Sequence, residues 1–393
     1  MNKQLLQRFN NKTILITGAT GFVGGRLVEL LAQDTTATIK VLVRDYGKAM
    51  RVGRYPIVFI KGELNDKTVV EEAVKDCDYV LHCAYGNKGS AEARNAVNVE
   101  GTAILLEAAR KASALSLVFL STVSVYGLPD TEWLDENSLS NPEKSDSYAI
   151  SKLEAEKWVL DFAAKNNFHA TVLQPTAVYG PWSPSYVIKP SEVLRNYKFP
   201  MIDGGKGICN AVYIDDLCQA MLLAATTTQA AGQKYIINGA EIITWLDFYQ
   251  ALAKLIPESE LVSMNPEEMA LLFKAAAYKK PVYKVLLKVI SLNKDAVREL
   301  LQYKLFGNLA TWALQNLPTK FLNKLRPIPK AHSTLRNKAV LPLDPSSVRF
   351  YKGTTKANSA KAFKELHYNP EFDLVKGFEN IEKWGSWYWK NRQ

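Results

Sequence analysis

The chain has 393 residues, 47% of them hydrophobic and 22% charged, with a formal net charge of +10, which excludes a mostly disordered polymer and allows more than one domain. The charge is local: fourteen Lys and Arg stand between Met269 and Lys338 against Asp295 and Glu299 alone, so the remainder is slightly acidic and nucleic acid is not the expected partner. Cys77, Cys83, Cys209 and Cys218, with His82, His169, His332 and His367, form no CxxC pair and no metal-ligand spacing, the opening MNKQLLQRFNNK is too polar to be expected as a secretory leader, and there is no run of about 18 apolar residues; a reduced, metal-free, cytoplasmic protein is expected.

The first 180 residues alternate short apolar, β-branched runs with helical patterns. Runs at 13–17, 39–43, 57–60, 79–83, 117–121 and 171–174 read as buried parallel strands, separated by helices at 24–33, 69–75, 93–111 and 148–165, among others. That alternation predicts an α/β fold on a doubly wound parallel sheet. After Tyr179 the pattern breaks, and Pro181, Pro184, Pro190 and Pro200 mark loops. The expected division is a main unit over 1–180, with strand material returning near 205–240. A smaller discontinuous lobe follows over 181–264 and 342–393, with a helical basic insertion over 265–341.

The first strand runs into Thr17-Gly18-Ala19-Thr20-Gly21-Phe22-Val23-Gly24 and then a helix. Glycines there let the backbone approach a pyrophosphate, while the helix start adds N–H donors and partial positive charge. A tight ligand-free turn would use the same glycines, but at the head of an alternating α/β unit the dinucleotide reading is the stronger. The second strand ends at Arg44-Asp45. A dinucleotide fold usually places an acid there for the ribose 2′-OH, whereas arginine suits a 2′-phosphate. NADP is favoured, and Asp45 keeps NAD open; alternatively Arg44 is an exposed side chain paired with Asp45.

Further on stand Lys61-Gly62-Glu63-Leu64, Asp78-Tyr79-Val80-Leu81-His82-Cys83-Ala84, Asn98-Val99-Glu100-Gly101-Thr102 and Leu120-Ser121-Thr122-Val123-Ser124-Val125-Tyr126-Gly127. Tyr148-xxx-Lys152, Gln174-Pro175-Thr176-Ala177-Val178-Tyr179-Gly180-Pro181 and Val212-Tyr213-Ile214-Asp215-Asp216 follow. In this order the motifs resemble the extended short-chain dehydrogenase/reductase family, of the NAD-dependent epimerase/dehydratase type. That group holds nucleotide-sugar epimerases and dehydratases, dihydroflavonol-type reductases and 3β-hydroxysteroid dehydrogenases. The resemblance covers about residues 12–260 and resumes near Tyr351.

The resemblance implies a Rossmann domain over 1–180 that binds NAD(P), a substrate-binding lobe, and a homodimer through two helices of the sheet. It also implies that Tyr148 gives or takes the proton on the substrate oxygen while a hydride passes to or from the nicotinamide. A free phenol titrates near 10, so a cation must favour its anion; Lys152, one helical turn on, is that cation and a ligand of the nicotinamide ribose. Thr122 aligns with the hydroxyl that steadies the substrate oxygen, with Ser121 and Ser124 as fallbacks. Asn98 matches the anchor of a proton-relay water, and a helix-capping role is equally open. Cofactor contacts are implied at Gly18, Thr20, Gly21, Phe22, Val23, Gly24, Arg44, Glu63, Leu64, Ala84, Tyr85, Lys152, Pro175, Thr176 and Val178.

Departures from the family narrow the chemistry. Sugar-nucleotide dehydratases carry an Asp-Glu pair after the catalytic threonine, and Val123-Ser124 can supply neither acid nor base. Many epimerases place a diphosphate-clamping arginine where this chain has Ile208-Cys209-Asn210-Ala211, although Arg195 or Lys198 could substitute. Gln174 replaces a usual arginine. Within 265–341, lysines alternate with Leu, Val, Phe and Tyr; this suits peripheral contact with an anionic membrane or a helical lid on the lobe. The expectation is an NAD(P)-dependent oxidoreductase interconverting a secondary alcohol and a ketone on a hydrophobic or lipid-like small molecule. The alternatives are a nucleotide-sugar epimerase with tightly held cofactor and a catalytically idle cofactor-binding subunit.

Overall fold

The computed structural model describes residues 3–86, 90–278 and 338–390. The apolar runs become parallel strands β1 (Thr13–Thr17), β2 (Thr38–Val43), β3 (Val58–Lys61), β4 (Tyr79–His82), β5 (Ser116–Leu120) and β6 (Ala170–Pro175), and a seventh, β7 (Lys234–Ile237), returns from later in the chain. Their order is β7-β6-β5-β4-β1-β2-β3. Side chains alternate between two cores: Ile14, Ile16, Val41, Leu81, Val118 and Leu173 face one, and Leu15, Leu42, Val80, Leu117, Phe119 and Val172 the other. Helices must therefore cover both faces. On the first lie α1 (Phe22–Asp34) and α5 (Ile214–Thr226). The second is covered by α2 (Lys67–Val74), α3 (Gly101–Lys111) and α4 (Ser147–Asn166). Strand order reverses between β1 and β4, which leaves a crevice at their carboxyl ends.

One helix expected at 93–111 is broken. A short helix, Ala91–Asn95, passes into a widened π turn, Ala96–Glu100, before α3 begins. Such one-turn bulges tend to accompany functional positions.

The lobe is built from short pairings: Lys198–Ile202 with Glu260–Met264, and Ile208–Cys209 with Ile243–Thr244. Around them lie α6 (Trp245–Lys254), α7 (Pro266–Tyr278), α8 (Pro345–Lys352), α9 (Ala360–Leu366) and α10 (Leu374–Lys390). The segment 342–393, expected to stay in the lobe, divides between the two units. While α8 and α10 pack on lobe strands and α6, α9 packs on β7 and α5 at the sheet edge. The reason is in the connection, where residues 356–357 pair with 133–134 and draw the chain back across the main unit. Within 205–240, where material was expected to return to the main unit, α5 contacts β4, β5 and β6.

Of the basic insertion, α7 docks through Met269, buried with Ile202 and Leu343; residues 279–337 lie outside the described residues, and so does most of the expected membrane contact. No described helix is long and apolar enough to cross a membrane.

Candidate active site

At the end of β1, Gly18 takes φ +72°, and a Cβ there would lie 2.7 Å from the Cys83 carbonyl and the Ala84 nitrogen. Only glycine lets the turn pass this close to β4. Gly24 serves the next contact: a Cβ on it would sit 2.5 Å from the Gly18 oxygen. Gly21 caps α1 without any side-chain acceptor, so the first-turn N–H groups of Phe22, Val23 and Gly24 remain available to an anion. The adjoining groove, about 260 Å³, is lined by Gly18, Thr20, Gly21, Arg44, Glu63, Leu64, Ala84 and Tyr85, with Cys83 and Val97. A glycine-floored groove at a helix start fits a dinucleotide. Arg44 is exposed on its rim. Asp45 does not pair with it: its Oδ1 accepts from the Gly47 N–H at 2.9 Å, and Lys48 stands 3.7 Å away. Pro175 and Val178 line neither this groove nor the neighbouring cleft, while Thr176 lines the cleft.

Tyr148 enters at the start of α4, where the Asp146 Oδ1 accepts from the Tyr148 and Ala149 N–H groups at 3.0 Å. Its ring meets Tyr85 edge-to-face at 4.7 Å. Burial pushes the phenol up to about 12, and a hydrogen bond with the Thr122 hydroxyl opposes this. Thr122 is itself fixed, since its oxygen accepts from the Ser124 N–H at 3.2 Å. Of the fallbacks, Ser121 donates to Glu156 at 2.9 Å and is thereby occupied, whereas Ser124 lines the cleft.

Lys152 differs from the expectation. Its Nζ donates to the Leu120 carbonyl at 2.7 Å and lies 4.7 Å from the Phe119 ring and 5.5 Å from Tyr85. Burial lowers its pKa to about 8. It makes no hydrogen bond to Tyr148, and one of its three donors is spent on the strand carbonyl.

Asn98 serves neither as a cap nor through a free amide. Its Oδ1 accepts from the Gly86 N–H at 2.6 Å and its Nδ2 donates to the Gly86 carbonyl at 3.0 Å. The Asn98 carbonyl accepts from Thr102 Oγ1 at 2.7 Å, and that hydroxyl lies 3.0 Å from His82 Nε2. His82 Nδ1 in turn lies 2.6 Å from Thr17 Oγ1. This chain of contacts ties the π turn, both crevice strands and the loop at 84–86 into one frame. Behind α4, Gln174 Nε2 donates to both Glu156 oxygens at 2.9 Å and its Oε1 accepts from Tyr126 at 2.9 Å. The amide thus satisfies by hydrogen bonds the carboxyl oxygens that an arginine would hold by charge.

A cleft of about 720 Å³ opens beside Thr122 and Ser124, with Tyr186, Trp245, Phe350 and Tyr351 in its wall. Its lining cations are paired, Arg349 with Glu143 at 3.5 Å and Lys352 with Asp203 at 3.6 Å. Arg195 and Lys198 do not line it, and Lys198 pairs with Glu260 at 2.7 Å. Asn210 is spent on the Thr355 carbonyl and the Ala357 N–H, both at 2.8 Å. Sequence reasoning missed the aromatic wall; its members lie far apart in the chain and share no periodicity.

Comparison with known proteins agrees with this geometry. The chain is 28% identical over 233 residues to a 4-hydroxy-2-methyl-3-oxo-4-farnesyl-3,4-dihydroquinoline-1-oxide ketoreductase of Stigmatella aurantiaca, covering 58% of this chain and 68% of that one. It is 28% identical to a 2-alkyl-3-oxoalkanoate reductase of Shewanella oneidensis, over 58% of this chain and 62% of the relative. A UDP-glucose 4-epimerase of Vibrio cholerae is 26% identical, over 62% and 75%. Among such relatives the shared part is thus about two thirds of their own length. An epimerase structure from Methanothermobacter thermautotrophicus superposes with a TM-score of 0.69 at 16% identity, covering 99% of this chain and 96% of that one. Residues 14–238, more than half of the chain, match the NAD dependent epimerase/dehydratase family, and with the glycine turn, the crevice and the Tyr148–Thr122 pair in place the protein belongs to that family, among the extended short-chain dehydrogenases/reductases.

Proposed function

We propose that the protein is an NADP-dependent reductase of hydrophobic ketones. The observation that carries this reading is the cleft lined by Thr122, the hydrogen-bond partner of a protonated Tyr148, with an aromatic wall whose lining cations are already paired. A nucleoside diphosphate would need cations free to neutralise it. A ketone needs a proton donor, which a phenol held near 12 remains at neutral pH. The ketone reductases among the relatives, named for farnesyl- and alkyl-bearing substrates, support the apolar class. Arg44, without a partner among the described residues on the groove rim while Asp45 is turned into its own loop, supports the 2′-phosphate form.

When bound, the nicotinamide supplies the hydride. The protein does the rest. Thr122 and Tyr148 bind the carbonyl oxygen, and the phenol releases its proton to that oxygen as negative charge develops there. The phenolate left behind keeps the Thr122 hydrogen bond, and the Lys152 ammonium one helical turn on favours it by charge, with no hydrogen bond between the two. Proton movement ends at Tyr148 and is made good from solvent through the cleft.

The test is turnover of a panel of long-chain ketones with NADPH and with NADH. Oxidation of NADPH in preference to NADH is expected, and Tyr148→Phe should slow it by about 10²–10⁴-fold with cofactor affinity nearly unchanged. Protein that arrives with bound NAD and interconverts sugar nucleotides without net redox would establish the epimerase instead.

A further inference from the structure

Tyr186 stands in the wall of the cleft, on the turn Pro184–Ile188. That turn is built firmly. Ser183 caps it by accepting from the Tyr186 N–H and donates to the Val178 carbonyl at 3.0 Å. Val187 is fully buried beneath it, and the Tyr186 ring meets Phe248 edge-to-face. The hydroxyl of this well-placed ring makes no hydrogen bond to any described residue.

Other tyrosines packed into the protein spend theirs. Tyr126 donates to Gln174, Tyr179 to the Asp373 carbonyl, Tyr235 to Glu365 and Tyr368 to the Asn238 carbonyl, and Tyr249 and Tyr351 bond each other at 2.9 Å. Tyr186 is half-buried in the cleft wall, so its hydroxyl, with no partner among the described residues, is left to the cleft and can bind an oxygen that enters it. The same cleft wall includes Trp245, whose Nε1–H is buried without a partner, so this side of the cleft is short of acceptors. Burial keeps Tyr186 protonated well above neutral pH, and Tyr148 lies close enough to add to that in the same direction.

The geometry points to Tyr186 as a second hydroxyl donor, which binds an oxygen of the substrate other than the one that Tyr148 protonates. The substrate is then a ketone with a neighbouring oxygen function, such as a 3-oxo ester or an α-hydroxy ketone, and Tyr186 is a specificity residue for that second oxygen. This rests on the ketone-reductase reading and narrows it.

The experiment compares a long-chain 3-oxo ester with the plain ketone of the same chain length, each reduced by the wild type and by Tyr186→Phe. The expected result is a fall in kcat/KM of about ten-fold on the 3-oxo ester and less than about two-fold on the plain ketone. The thermal unfolding midpoint of Tyr186→Phe controls for folding, since a collapsed variant would lose both substrates for a reason unrelated to the hydroxyl. Equal losses on both, or no loss on either, overturn the inference while leaving the reductase intact. A wild type inert towards every ketone overturns the reductase reading and this inference with it.

Discussion

Lys152 is a cation withdrawn from water, with a backbone carbonyl and two aromatic rings for company and no described carboxylate in contact. That arrangement costs stability wherever the ammonium is charged. In the fold it titrates at about 8 against an ordinary 10.5. Between those values the unfolded chain holds a proton that the folded chain has released, so the fold gains stability as pH rises through that window. The gain amounts to about 3 kcal/mol. Lys152→Met lacks the group, and the stability difference between wild type and variant should swing by that amount towards the wild type between pH 8 and 10.5. Urea denaturation across the range measures it, and parallel curves would show that the ammonium is better solvated than its surroundings indicate. Activity should run the other way, declining above pH 8 as the charge that receives the phenolate disappears. At this scale the spacing of Tyr148 and Lys152 was legible because it is local to one helix. The Leu120 carbonyl that holds the lysine was not, since strand and helix meet there across 32 residues of chain.

Among elements, the decisive contact is between the glycine turn and α1. Gly24 lies inside the helix, where alanine would ordinarily be preferred, yet its Cβ would press against the Gly18 oxygen and carbonyl carbon, both backbone atoms. Gly24→Ala should therefore leave the sheet folded but push the turn outward and weaken NADPH binding by about ten-fold or more, as two N–H contacts are displaced. Fluorescence titration of NADPH reads this directly, and unchanged affinity would mean that the turn can yield. The glycine pattern was visible in the sequence for the reason the structure gives, since a dinucleotide turn has few solutions. Nothing local announced the π turn at Ala96–Glu100. It accompanies the pairing of Asn98 with Gly86, twelve residues earlier in the same connection out of β4.

For the whole molecule, the alternation of strand and helix foretold the sheet, because each strand is long enough to carry a pattern and is buried on both faces. The path of the last fifty residues was not foretold. It depends on a two-residue strand and on single hydrogen bonds, too short to show periodicity. The outer side of α4 leaves Ile150 and Trp158 exposed, at 40% and 51%, which supports the two-helix dimer that the family resemblance implies. A dimer is expected in sedimentation at micromolar protein, and Trp158→Glu should release monomers that retain turnover; a monomeric wild type would end the idea.

The late segment has a consequence for how the protein is made. Thr355 donates to the Pro129 and Thr131 carbonyls, Lys356 bonds to Glu132 and Asn358 to Leu134. Gly207 meets the Tyr351 carbonyl so closely that no Cβ fits, and Asp216 at the start of α5 receives the N–H groups of Glu371 and Phe372. A nascent chain emerging from the ribosome can assemble β1 to β7 well before these residues exist. Until they arrive, α5 lacks the acceptor's partners at its start and the wall formed by Trp245 has no Phe350 or Tyr351 against it. Cofactor groove and substrate cleft are thus completed at different moments of translation, the groove first, so a growing chain can acquire its nucleotide before it has anywhere to put a substrate.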